Sequence, residues 1–302
     1  MSIWKDVKYF WNHKCFAVGI PFMMILSYIT LLINPTVGID DTSFQLYYVD
    51  GVSPAMGRWC LYLINKIIPL GYNPHYVEAV GLCFFCLSIT LWCVVFFRMF
   101  GEQLHIIVYA IFGMVMLSSP MLSEVVIWYL QDGIYLGYGF TALAVLYAMA
   151  SFQRGLKKRM GGILGASLML VTALGFYEAF MIVFLMAMVM NFMLIRVLDK
   201  DNYSRKVWDW LLNLAVVCVC AMIFRTIIVS GITAIDHLQE QAEVLESRGL
   251  GDIAGLLTGW FDGSRSMGEF WFVLKDFFVK YYIHAIVYTP VMILVLAVGV
   301  LG

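Results

Sequence analysis

The feature that most limits what this chain can become is a series of long apolar runs with almost no charge inside them. The stretch 76–97, for example, holds a single charged residue, Glu78. At a rise of about 1.5 Å per residue, roughly 20 helical residues match the hydrocarbon thickness of a bilayer. Of the 302 residues, 62% are hydrophobic and 13% charged, whereas soluble domains sit near 45–50% apolar and about 25% charged. A water-soluble fold of this composition could not cover its surface with polar groups. Because the runs do not alternate in polarity over about 10 residues, a β-barrel is excluded too. The expected class is all-α, a polytopic transmembrane helical bundle of about eight spans.

Segment 1–14 mixes Trp4, Lys5, Lys8, Tyr9, Trp11 and Lys14, a composition suited to the membrane interface. The first span is expected at about 15–33, stopping at Asn34-Pro35. After a polar loop, 54–68 is apolar but short and carries Arg58 and Lys66, so it reads as a helix lying on the membrane. Further spans are expected near 76–97, 104–117 (broken by Ser118-Ser119-Pro120) and 133–152. A hairpin follows at 161–174 and 179–197, turning through Gly175-Phe176-Tyr177-Glu178. A seventh span covers about 207–228, and an eighth begins near 282 after a long polar loop at about 231–281. The sequence stops inside that eighth run, so the expectation is the N-terminal portion of a longer membrane protein.

Alternating spans place Lys5, Lys8, Lys14, Arg98, the 154–159 basic cluster, Arg196, Lys200, Arg205 and Lys206 on one side. By the positive-inside tendency that side is the cytoplasm. Asp40, Asp41, Asp50, Glu78, Glu124, Asp132, Glu178 and the acidic stretch 236–246 then face outward. The first apolar run lacks a small-residue cleavage site and reads as an anchor rather than a leader. The 19 basic residues are spread along the chain, so no nucleic-acid partner is expected. Cys83 and Cys86 form a C-x-x-C inside an apolar helix without His or Asp partners. They read as packing residues, and no metal or cofactor is expected.

Asp40 and Asp41 directly follow the first span. Adjacent carboxylates repel, which favours a base able to take a proton near neutral pH. The same residues also suit a solvated, helix-capping turn. Arg58, in Met56-Gly57-Arg58-Trp59, could grip a phosphate or carboxylate with its planar fork, or simply snorkel to the headgroups. Glu124 and Glu178 are acidic groups at the outer boundary in apolar surroundings, candidates for substrate binding, although a tight hairpin would also expose Glu178 to water. Arg225 falls within the seventh span and requires a partner or water; Asp236 or the acidic loop could supply one. The aromatic residues near span ends, Trp128 and Tyr135 among them, suit interface anchors. No phosphate-binding glycine loop, H-E-x-x-H or G-x-S-x-G occurs, which argues against an ATP-driven or zinc-dependent machine.

Taken together, Gly38-Ile39-Asp40-Asp41, the Gly57-Arg58-Trp59 segment, the Ser119-Pro120 to Glu124 stretch and Gly175-Phe176-Tyr177-Glu178-Ala179 resemble the GtrII-like glucosyltransferases, of the GT-C class of polytopic membrane glycosyltransferases. The resemblance implies one GT-C-like transmembrane domain over 1–302, with an outer catalytic loop at about 35–75. It implies transfer of a hexose, typically glucose, from a polyprenyl-phosphate sugar to an outer-face glycan acceptor. In this class the catalytic acid residue stands in the first outer loop, matching Asp40 or Asp41; the family hairpin often carries Gln where this chain has Glu178. The implied setting is the plasma membrane of a prokaryote, with a donor synthase and a flippase as partners. A transporter, flippase or polymerase of lipid-linked glycans would use the same topology but should show a repeat or paired broken helices. A structural membrane subunit would need no outer carboxylates.

Overall fold

The computed structural model describes residues 3–33, 57–67, 74–101, 104–119, 134–151, 156–198 and 203–235, together with Trp271. These residues form helices joined by turns, with no strand among them. In chain order the helices are α1 (Ile3–Trp11), α2 (Lys14–Ile33), α3 (Trp59–Ile67), α4 (Pro74–Phe100), α5 (Ile106–Leu117), α6 (Ile134–Ser151), α7 (Leu156–Phe176), α8 (Phe180–Leu198) and α9 (Tyr203–Ile235). The chain divides into two compact units, Met1–Ala242 and Glu243–Gly302, and the nine helices named among the described residues belong to the first.

Among the described residues, four helices are long and apolar enough to cross a membrane: Ala79–Phe100, Ile134–Ser151, Arg159–Phe176 and Trp208–Ile232. Counting α1 and α2 as one span bent by 82° makes five. Of the expected eight, four or five are found among the described residues, and the run from 282 lies outside them. Length sets α5 apart. The 12 residues of α5 rise about 18 Å, well short of a bilayer core of about 30 Å.

Contacts along the helices fix their directions. Ile20 of α2 lies against Gly113 of α5, and the Tyr28 hydroxyl donates to the Leu117 carbonyl, so α2 and α5 run parallel. Ser88 of α4 donates to the Tyr135 carbonyl, while Gly139 lies against Ser88 and Leu91, so α4 and α6 are parallel as well. Arg159 of α7 binds Asn213 of α9 at 2.7 and 2.9 Å, and Ser167 reaches the Val217 carbonyl; α7 and α9 share a direction. Consequently Asp6, Arg98 and Arg159 stand at one end of the bundle, and Arg58, Glu178 and Arg225 at the other.

The first end is pinned by α1. Asp6 pairs with Arg98 at the end of α4, its carboxylate accepting from Nε at 2.6 Å. Phe10 is fully buried between Phe16, Phe97 and Tyr109, while Trp4 is exposed on the other face. The basic cluster also sits differently from expectation. Lys157, Lys158 and Arg159 open α7 rather than preceding it, since a helix can begin with charges and enter its apolar segment a turn later.

The closest packing in the bundle is between α6 and the antiparallel α7, where small residues let the backbones approach. A Cβ at Gly162 would stand 2.7 Å from Ser151 Cβ and 3.0 Å from its Cα, whereas one at the adjacent Gly161 would meet nothing. Gly162→Leu should therefore destabilise the bundle by about 1–3 kcal/mol through overpacking. Gly161→Leu should leave stability unchanged or slightly raised. Thermal unfolding of the two variants in the same detergent checks the contrast.

Candidate functional site

At the second end, the helical hairpin α7–α8 carries the short helix α3 on its tip. The sequence suggests that Gly175 belongs to the turn, but α7 continues through Phe176 and the chain turns at Tyr177-Glu178-Ala179. Gly175 serves close approach instead. A Cβ there would lie 2.6 Å from Cε2 and 2.7 Å from Nε1 of Trp59, and 2.8 Å from Sγ of Cys60. Cys60, Leu61, Ile134, Ala173, Phe176 and Phe180 bury one another in a small apolar cluster beneath α3. Burial pushes the Cys60 thiol well above its ordinary range, so it stays protonated and serves as packing.

Seating α3 here sets Arg58, the residue just before it. Its Nε donates to Oε2 of Glu178 at 3.5 Å and its Nη2 to Oε1 at 3.4 Å. The Arg58 guanidinium also lies over the Tyr177 ring, 4.7 Å from the centroid. The Arg58 side chain is 15% exposed and that of Glu178 51%. The cation is thus held from one side by a long, forked ion pair and from another by an aromatic face, and both contacts leave it reachable. Two residues named separately from the sequence, 120 positions apart, form one pair.

Arg225 belongs to the same place. A Cβ at Gly57 would collide with Nη2 of Arg225 and stand 3.0 Å from its Cζ. Gly57 also has φ 82°, the left-handed region that glycine accepts most readily. Its motif neighbour Arg58 drew attention in the sequence; the signal for Arg225 was a lone guanidinium inside an apolar run. Asp40, Asp41, Glu124 and Asp236 lie outside the described residues. Among the described residues, no three His, Cys, Asp or Glu side chains gather into a possible metal site. All seven cysteines are free thiols, and Cys86 packs its Sγ 3.1 Å from Sδ of Met24.

These observations define a helical membrane protein with a cationic, carboxylate-buffered cluster at one end of its bundle. The chain belongs to the glucosyl transferase GtrII family, whose model matches residues 29–300. Its activity class is therefore glycosyl transfer, with glucose as the sugar of the family. Searches of curated proteins and of solved structures find no match to it.

Two substitutions separate the seat of the cluster from its ion pair. Gly175→Leu should unseat α3 and expose Cys60, which a single-cysteine variant would report as a rise in maleimide labelling. Glu178→Gln should leave Cys60 protected and unfolding within about 1 kcal/mol of the unsubstituted protein, because a half-exposed ion pair contributes little and the amide still accepts one bond.

Proposed function

We propose that this protein transfers glucose from a polyprenyl-phosphate donor to a glycan acceptor on the outer face of a prokaryotic plasma membrane. The observation that carries this reading is the Arg58–Glu178–Tyr177 cluster at one end of a bundle belonging to a glucosyltransferase family. A polyprenyl donor is anchored in the bilayer, so its phosphate sits at interface depth, where a half-buried guanidinium beside the membrane boundary can meet it. No nucleotide-binding fold is required, because the sugar arrives already activated on the lipid.

In the proposed reaction an acceptor hydroxyl oxygen attacks the anomeric carbon of glucose. The bond from that carbon to the phosphate oxygen breaks, and polyprenyl phosphate leaves with the electron pair. Asp40 or Asp41 takes the hydroxyl proton as general base, while Arg58 stabilises the charge developing on the leaving phosphate. Glu178 orients Arg58 and, with Glu124, contacts sugar hydroxyls. The whole chain acts as one transmembrane domain with its catalytic loop at about 35–75. A donor synthase and a flippase supply the lipid-linked sugar. Arg98 and Arg159 at the end opposite Arg58 support a cytoplasmic N-terminus with the site outside.

With purified protein in nanodiscs and polyprenyl-phosphate glucose supplied, the Asp→Asn variant of the true base among Asp40 and Asp41 should lower turnover at least about a hundredfold while retaining donor binding. Near-normal turnover in both variants moves the base elsewhere, with Glu124 next. Movement of a lipid-linked glycan across the bilayer without sugar consumption would establish a transporter instead. Orientation is checked in intact cells: in a background without other cysteines, an impermeant maleimide should label Thr42→Cys and spare Gly155→Cys, and the reverse pattern would invert the topology.

A further inference from the structure

Charge at the Arg58 end does not balance. Two guanidinium groups, Arg58 and Arg225, converge on Gly57, and the one described carboxylate there, Glu178, is bound to Arg58 alone. Among the described residues Arg225 makes no ion pair, and its Nε is buried without a hydrogen-bond partner. A half-buried cation with a buried, unfilled N–H is costly unless an acceptor meets it.

We propose that Arg225 and Arg58, gathered around the backbone of Gly57, form a two-guanidinium site for a lipid-borne phosphate, with Arg225 supplying a buried N–H that has no partner among the described residues. This extends the proposed function, resting on it for the role of Arg58, and adds a second cation from a different helix. Phosphate suits the site better than a carboxylate, since its several oxygens can accept from two planar forks at once and the single charge of a phosphodiester offsets the one cation that Glu178 leaves uncompensated. A lipid carrier suits it better than a free ion. Arg225 lies within Trp208–Ile232, a segment apolar enough to cross a membrane, so a ligand must come to membrane depth to reach it. Gly57 is the element that admits the second guanidinium. Its left-handed backbone and missing Cβ leave the space that Arg225 fills.

The test uses the full chain in phosphatidylcholine nanodiscs, with farnesyl phosphate as the probe and farnesol and inorganic phosphate as controls. The unsubstituted protein should bind farnesyl phosphate and neither control. Arg225→Ala should weaken that binding at least about tenfold, with Arg225→Lys restoring part of it, because a point charge replaces one arm of a fork. Gly57→Ala retains both arginines and should weaken binding to a similar degree by displacing the Arg225 guanidinium. Size-exclusion profiles and melting temperatures confirm that each variant is folded. Unchanged affinity in folded Arg225→Ala and Gly57→Ala, with loss confined to Arg58→Ala, would overturn the second cation and leave the Arg58 reading standing. Loss of thermal stability without loss of affinity in Arg225→Ala would also overturn it, by giving Arg225 an acceptor within the chain. If the unsubstituted protein fails to bind farnesyl phosphate, the donor reading itself falls. Displacement of the probe by phosphatidylglycerol placed in the disc would overturn the carrier phosphate as ligand and assign the site to bulk headgroups.

Discussion

The contact of Trp59 and Cys60 against the bare backbone of Gly175 is what the rest of the site depends on. A short helix such as α3 has little stability of its own, since nucleation is unfavourable and nine residues propagate it only briefly. It exists here because one face is pressed onto the tip of a hairpin that is itself held by tight packing between α6 and α7. Once α3 is seated, the residue before it has little freedom. Arg58 must fall beside Tyr177 and Glu178, and Gly57 must turn through a left-handed conformation against α9. Three separate parts of the chain therefore meet through one glycine that has no polar chemistry.

The chemistry that results is economical in its use of charge. Holding a guanidinium on an aromatic face and a half-exposed carboxylate keeps it oriented without extinguishing it. A fully buried ion pair would be more rigid, but its carboxylate would compete with any incoming anion. The distances of 3.4 and 3.5 Å between Arg58 and Glu178 are long for a charge-assisted bond. The pair is thus an orienting contact that a better acceptor can outcompete.

Much of this architecture is legible in hydropathy alone. The described helices begin and end close to the limits that apolar runs and breakers imply, because those runs have one stable solution in a bilayer, with backbone groups satisfied internally. That α3 is a short helix and no span follows from its brief apolar run and from Arg58 and Lys66. What the sequence leaves unread is long-range pairing. Glu178 reads as a possible solvent-exposed turn residue, and nothing local reveals that its partner is Arg58. Gly175 reads as turn vocabulary because a glycine needed for close approach looks identical to one needed for a turn. Arg225 is conspicuous in an apolar helix, but its neighbour Gly57 comes from another part of the chain. Span number suffers from a different ambiguity, since α5 is as apolar as any span and simply too short. Asp40, Asp41 and Glu124 stand on chemical reasoning, outside the described helices.

The 82° bend between α1 and α2 has a consequence for where the protein works. With Trp4 outward, Phe10 inward and Asp6 tied to Arg98, α1 resembles a float resting on the headgroups, and the bundle hangs from it at a fixed depth. The distance from that float to the Arg58 cluster is set by covalent geometry, whereas the distance between the two headgroup layers is set by the lipids. On the function proposed for the Arg58 cluster, acyl-chain length thereby becomes a coordinate of the site: bilayers that are too thick would draw the guanidinium groups below the phosphate plane, and thin ones would lift them into water.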